Sequence, residues 1–512
     1  MKNYVLVLFT ALFAVSCSKK IEIKGKVTGG SPLERIEFVE ASGVATLPLA
    51  NFGVSPTGEF SGSFEAPKNG MYLMTYAGKQ NLFYLKQGQT FSISGNSNDF
   101  PQNFTITGDA KNNNKFLKMC QTFFEKYSQK VNMNELVAKD EATYLKEADK
   151  ITADLTKNID ENAKNAGADS DVVSWKKDEL NASILGFLNQ FETYHGQTTN
   201  NPAFKVSQKF IDYEKKLSKD NDRLVENLPS YRNFLLQKIS PEYQKFADSQ
   251  PKKDGITTSE VFSSFLKTKK EMSQITKDYL LAYVMAQTDM NVGTTKEIKA
   301  RITKLIDSDI QNATIKKGLK DIDFVVTGFP EGSTLPEASF STQDGKKYSF
   351  AESKGKPTLV MFYASWNPYI AQSTIPVLKE VVNFYKSKMN FVFVNLDDTK
   401  EQFQKTSKEL LKGIPGTKVY AEGGLDSETA KKFGIYAFKL PNFMLLDKDG
   451  KTAGNYSVNL GDANFIVVMD KLTGLKAPQV APETPLPNQM IPAQPAPQQA
   501  PPQQPAQPQP AK

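Results

Sequence analysis

The sequence predicts a multidomain α+β protein: a β-sandwich-like N-terminal domain, a helical middle domain, a C-terminal α/β domain and a disordered Pro/Gln-rich tail. Three observations lead there. Short alternating or apolar runs separated by Gly, Pro and Asn fill residues 21–110. Apolar residues at three- and four-residue spacing dominate residues 111–326. Continuous β-branched and aromatic runs then alternate with helical patterns over residues 327–475. With 512 residues and 39% hydrophobic content, the chain can build several separate cores.

Residues 1–16 have the make-up of a signal peptide: Lys2, an apolar stretch from Tyr4 to Val15, then Ala14-Val15-Ser16 before Cys17. The apolar stretch is too short to span a bilayer. The ending resembles a bacterial lipobox, although Ala14 stands where leucine is more usual. That resemblance implies acylation at Cys17, and more than one acyl chain suffices for stable membrane anchoring. Ordinary signal cleavage beside an incidental cysteine is the alternative. Ser18 after the cysteine, rather than aspartate, implies an outer membrane location facing the periplasm. A cell-surface location ranks second, because Ser18-Lys19-Lys20 carries no acidic patch.

Residues 17–110 form the β-rich domain. Candidate strands are Ile21–Lys24, Gly58–Phe64, Met71–Tyr76, Leu82–Leu85, Thr90–Ser94 and Phe104–Thr107, close enough together for a small sandwich or open barrel. Residues 111–326 form the helical domain, with stripes such as Phe116-Met119-Phe123-Tyr127, Leu180-Ile184-Phe187-Phe191 and Met272-Ile275-Tyr279-Tyr283. Cys120 lies on the first stripe, where a free cysteine behaves as a small core hydrophobe. Trp175 is assigned to packing in the same way. His195, the only histidine, ends the second stripe beside Gly196, a position that suits a helix C-terminus. One histidine excludes histidine triads and His-rich metal sites, and no metal or other cofactor is expected.

In the last folded region, Thr358–Tyr363 reads as a buried strand. Ala364-Ser365-Trp366 follows, and then a helix with apolar residues at Ile370, Leu378, Val381, Val382 and Tyr385. Further strands fall at Asn390–Val394, Lys418–Tyr420 and Asn442–Leu446, and the Asp449-Gly450 pair suits a hairpin turn. An ordered set of motifs accompanies them: Leu335-Pro336-Glu337-Ala338-Ser339-Phe340, Asp344-Gly345-Lys346, Lys354-Gly355-Lys356-Pro357, Trp366 and Leu440-Pro441-Asn442-Phe443. Together they resemble the TlpA-like, AhpC/TSA-related redoxins of bacterial envelopes, with a thioredoxin-like fold over residues 327–475. The N-terminal region more weakly resembles a β-rich domain of unassigned function that often precedes redoxin domains in bacterial lipoproteins.

Active members of that family use two cysteines. A helix N-terminus activates the first as a thiolate and the second resolves the mixed disulfide. Here the segment is Trp366-Asn367-Pro368-Tyr369-Ile370, which contains no sulfur. Asn367 and Ile370 occupy the two positions. Pro376 lies one residue further from Trp366 than its usual counterpart, so Pro368 and Ala371 are the alternative pair; neither choice restores a cysteine. Asn367 is a suitable N-cap and Pro368 a suitable first helical residue. Pro441 aligns with the family's cis-proline, which faces the active site and the bound partner.

The net charge of +7 is spread along the chain, and of 63 basic residues only Arg35, Arg223, Arg232 and Arg301 are arginine. Arginine is the preferred bidentate reader of phosphate and guanine, so nucleic acid is not an expected partner. Residues 476–512, rich in Pro, Gln and Ala, are expected to be disordered with polyproline II character. No catalytic residue is assigned. The first functional expectation is an anchored envelope lipoprotein whose redox-inactive thioredoxin-like domain binds other envelope proteins through an open face around Trp366, Asn367, Tyr369 and Pro441. The second is a structural subunit of an outer-membrane assembly, and the third is the thiol-disulfide oxidoreductase activity of the family.

Overall fold

The computed structural model describes residues 19–477, apart from 220, 252–254, 292, 293 and 455. The expected signal peptide (residues 1–16), Cys17 and residues 478–512 of the expected disordered tail lie outside the described residues. No described helix is long and apolar enough to cross a membrane.

Eight strands build the N-terminal part: β1 (Lys20–Thr28), β2 (Arg35–Glu40), β3 (Ala50–Gly53), β4 (Glu59–Glu65), β5 (Gly70–Tyr76), β6 (Lys79–Leu85), β7 (Thr90–Asn96) and β8 (Thr105–Gly108). They form two four-stranded sheets, in orders β4-β1-β7-β8 and β3-β2-β5-β6. Alternation explains the sandwich: Ile21, Ile23, Ile36, Phe38, Phe60 and Phe64 point into one shared apolar core. Two of these strands, β2 and β3, are absent from the strands read from sequence. The remaining face of β2 carries Arg35 and Glu37, which pair in register with Gly53 and Asn51 of β3.

The middle region is helical from Lys111 to Thr327. Its long helices, Lys111–Ser128, Glu141–Ala166 and Ser170–Thr198, bury Phe116, Leu180, Ile184 and Phe191 of the stripes read from sequence in a core that also takes Met71 and Tyr84 from the sandwich, with Met119, Phe123 and Tyr127 partly buried against it, whereas Phe187 is exposed. A second core around Phe262, Phe265 and Leu280 takes in Val44. Both cores therefore weld the sandwich to the helices with apolar contact. Cys120 is fully buried, and Asn162 Nδ2 approaches its Sγ at 3.7 Å. Burial pushes the Cys120 thiol up from its ordinary pKa. His195, in the last turn of its helix, contacts the Val137 carbonyl through Nδ1 at 2.8 Å and packs on Phe191 and Phe204.

The C-terminal part contains β9 (Phe340–Thr342), β10 (Lys347–Tyr348), β11 (Thr358–Tyr363), β12 (Asn390–Asn395), β13 (Thr417–Tyr420) and β14 (Asn442–Leu446). They form one sheet in the order β10-β9-β13-β12-β11-β14. Strands β11, β12 and β13 run parallel, with β14 antiparallel to β11 and β9 antiparallel to β13. Every residue of β11 and β14 is buried, as expected for strands with an apolar layer on each face. The short pair β9–β10, around Asp344-Gly345, lies in a segment whose sequence is legible only as a motif, not as strand.

Candidate functional site: the carboxyl ends of the parallel strands

The chain leaves β11 through Ala364-Ser365-Trp366 and turns into a helix at Pro368. Asn367 organises this turn. Its Oδ1 accepts from the Tyr369 backbone N–H at 2.9 Å, and its Nδ2 donates to the Leu440 carbonyl at 2.7 Å. The Leu440–Pro441 peptide is cis. Asn367 thus ties the start of the helix to the proline loop by a buried side-chain bond, at a position where a thiol would have left that carbonyl open.

The helix opens with a π turn over Ile370–Thr374 before continuing as Ile375–Tyr385, with Pro376 in its first turn. A π turn takes in one residue more than an α turn. This is the physical counterpart of the extra residue between Trp366 and Pro376. Ile370 is buried in the core below the sheet, while Tyr369 is 48% exposed.

Two loops from neighbouring strand ends complete the site. Asp397, after β12, is fully buried and accepts from the Ser365 backbone N–H at 2.6 Å, Ser365 Oγ at 2.9 Å, Asn395 Nδ2 at 2.8 Å and Thr406 Oγ1 at 3.0 Å. It fixes the approach to Trp366. The next residue, Asp398, turns outward towards the sandwich. After β13, Gly423 and Gly424 both adopt positive φ, and Gly424 lies against the Asp397 carbonyl where a Cβ would sit only 2.4 Å away. That tight turn places Asp426 beside Asp398.

Onto this surface comes Arg35 from β2. Its guanidinium lies over the Trp366 ring, 4.3 Å from the centroid. It forms a fork on Asp398, with Nη1 to Oδ2 at 2.5 Å and Nη2 to Oδ1 at 2.8 Å. Its other donors reach Asn51 Oδ1 at 2.6 Å and the Asn51 carbonyl at 2.8 Å. The Asn51 N–H in turn donates to Asp426 Oδ1 at 3.2 Å, and Asn51 Nδ2 to Glu37 Oε2 at 3.1 Å. Burial pushes the Asp426 carboxyl up to about 6, against the pull of the Asn51 N–H and Arg35. Burial also raises Glu37.

The expected open face around Trp366, Asn367, Tyr369 and Pro441 is therefore largely closed. Trp366 and Asn367 are each only 7% exposed, and Trp366 Nε1 has no hydrogen-bond partner among the described residues. Asn442, directly after Pro441, is fully buried, with neither side-chain amide atom paired among the described residues. Residues that sequence reading missed are Arg35, Asn51, Asp398 and Asp426. Lys439 is another: its buried Nζ donates to the Val325 carbonyl and lies 4.4 Å from the Tyr456 ring centroid. Burial brings Lys439 down to about 7. The one available signal for the first group was the use of arginine at position 35 in a lysine-rich chain.

Residues 355–452 match a family described as Thioredoxin-like. The C-terminal domain is thioredoxin-like. Thioredoxin-like protein HCF164, chloroplastic, is 29% identical over 132 residues in Arabidopsis thaliana and 31% identical over 119 residues in Oryza sativa subsp. japonica. These alignments take in 26% and 23% of this chain, which spans only 39% and 35% of the length of those relatives. Among solved structures, the C-terminal domain of a putative thiol-disulfide oxidoreductase from Bacteroides thetaiotaomicron is 30% identical, covering 25% of this chain and 86% of that one (TM-score 0.23). A thiol-disulfide oxidoreductase from Bacteroides fragilis is 28% identical, covering 24% of this chain and 89% of that one (TM-score 0.22). At the helix start this thioredoxin-like domain carries Asn367 and Ile370.

Proposed function

We propose that this chain is a membrane-anchored envelope lipoprotein whose thioredoxin-like domain performs no thiol-disulfide exchange and serves to bind protein. The supporting observation is Asn367. Exchange needs a thiolate to attack a disulfide sulfur and a second thiol to release the product. The cysteines of the chain, Cys17 and Cys120, both lie outside residues 327–475. At the helix start, Asn367 instead spends its side chain on the Leu440 carbonyl and the Tyr369 N–H. Tyr369 beside it is the exposed aromatic of the site and the natural contact for a partner polypeptide.

A second reading, a structural subunit of an outer-membrane assembly, draws on Arg35: the Trp366 face is already used within the chain. Insulin reduction by the purified mature protein tests the loss of redox chemistry; turnover above that of a Cys120→Ser variant would refute it. A photo-crosslinker placed beside Tyr369 in cells then separates binding module from structural subunit. Capture of an envelope protein that Tyr369→Ala weakens supports binding through this face, and unchanged capture supports the structural role. The anchor rests on Ala14–Cys17, with the outer membrane facing the periplasm as its location. Metabolic labelling with a clickable fatty acid, lost in Cys17→Ala, is its test.

A further inference from the structure

Among the described residues no apolar cluster of buried residues crosses the seam between the sandwich and the thioredoxin-like domain: one core draws on residues 21–110, and the sheet face nearest the site on residues 340–456. This contrasts with the apolar welds between sandwich and helices. The seam is polar, built on one guanidinium and two carboxylates. Polar seams of this kind allow relative motion of the domains they join.

The receiving side of the seam has its own chemistry. Trp366 offers an indole face, which attracts a cation through the ring quadrupole. Asp398 offers two carboxylate oxygens at the spacing of a guanidinium fork, and Asp426 adds a second negative group on the same side. A lysine could satisfy only part of this, because its ammonium is a point charge that neither stacks nor bonds in a fork. Gly53, paired with Arg35, makes the close approach possible, since a Cβ there would sit 2.2 Å from Asp398 Oδ2.

On these grounds we infer that Trp366, Asp398 and Asp426 form a guanidinium-binding pocket that Arg35 fills in cis, and that a partner polypeptide engages the domain by presenting an arginine in its place. This rests on the binding-module reading and names the chemistry of its partner: an arginine-bearing segment. With Arg35 seated the pocket is closed; with it displaced, the Trp366 face and the Asp398 carboxylate are freed beside exposed Tyr369, while Asp426, held by the Asn51 N–H, supplies charge.

The experiment uses the full mature chain with Trp175→Phe, so that Trp366 is the sole tryptophan. Emission is titrated with N-acetylarginine amide, N-acetyllysine amide and N-acetylcitrulline amide. In Arg35→Ala the arginine probe should give a saturable change at a concentration at least tenfold lower than either control, and added Asp398→Asn should abolish it. The Arg35-containing parent should respond at least tenfold more weakly than Arg35→Ala. Equal responses to the three probes, or a response indifferent to Asp398→Asn, would overturn the inference. A parent signal that tracks self-association would also overturn it, by assigning the pocket to Arg35 of a second copy. Arg35→Gln, which keeps a donor for Asn51, provides the same measurement should Arg35→Ala fail to fold. Insulin turnover would refute the binding-module reading without touching this titration, so the two failures are distinguishable.

Discussion

Asp426→Asn should stabilise the seam at neutral pH and remove part of its pH dependence. Burial raises the Asp426 pKa from 3.8 to about 6, so the folded chain holds a proton there over a range in which the unfolded chain has released it. Stability from this group is therefore fully present below pH 3.8 and falls as pH rises through about 6. A shift of that size corresponds to a penalty of at most about 3 kcal/mol above pH 7. Because the carboxylate keeps some contact with solvent, about half of that is the realistic figure. Asparagine keeps an Oδ1 acceptor for the Asn51 N–H and carries no charge to desolvate. Urea unfolding followed by Trp366 emission, in the Trp175→Phe background, should give a midpoint that falls between pH 4 and 7 in the parent and stays flatter in Asp426→Asn. Glu37, raised by burial and by the Asp426 charge, leaves a residual slope. A midpoint at pH 7.5 equal to or below the parent's would refute the reasoning.

Other perturbations test neighbouring parts of the structure. Lys439, brought down to about 7 by burial, should make the parent more stable as pH rises from about 7 towards 10; Lys439→Met should lose that rise, read by thermal melts across the range. Gly53→Ala places a Cβ against Asp398 and the Arg35 guanidinium, and should raise acrylamide quenching of Trp366 by severalfold at a cost of about 1–3 kcal/mol. Cys120, buried and pushed up in pKa, should react with a disulfide reagent only after denaturation, and fast labelling of the native chain would contradict its placement.

The parts of the fold that sequence revealed are those whose burial is symmetric. β11, β12 and β14 are covered on both faces, so their apolar runs are unbroken and identify themselves. β2 is different. Its Arg35 and Glu37 alternate with Ile36 and Phe38, a pattern that ordinarily means one face in water; here the charged face meets a second domain instead. Nothing local distinguishes those cases. The parallel pairing of β1 with β7 is equally hidden, because it joins strands far apart in sequence. At the site, the missing sulfurs and the single-residue excess before Pro376 were visible, and the excess emerges as the π turn. The closure of the Trp366 face was not, since it depends on a residue more than three hundred positions away.

Arginine usage marks contacts that hydrophobic patterning does not reveal. In a chain whose basic residues are almost all lysine, each of the four arginines makes bonds that a lysine could not reproduce. Arg223 forks onto Asp178 and Arg301 onto Glu260, both within the helical region. Arg35 forks onto Asp398 across the seam. Arg232 is almost wholly buried and donates to the carbonyls of Ser42, Gly43 and Val225, tying a sandwich loop to the helices. Two of the four thus fasten the sandwich to other parts of the chain, but with different energetics. Arg232 satisfies buried carbonyls next to an apolar core, so Arg232→Lys should leave at least one carbonyl without a donor and cost about 1–3 kcal/mol in a thermal or urea melt. Arg35 has a partly exposed carboxylate as its anchor and touches the thioredoxin-like core only through the face of Trp366. Arg35→Lys should therefore cost less global stability than Arg232→Lys while raising quencher access to Trp366 more. The reverse ranking would mean that the Arg35 seam is a permanent weld rather than a contact that another arginine can replace.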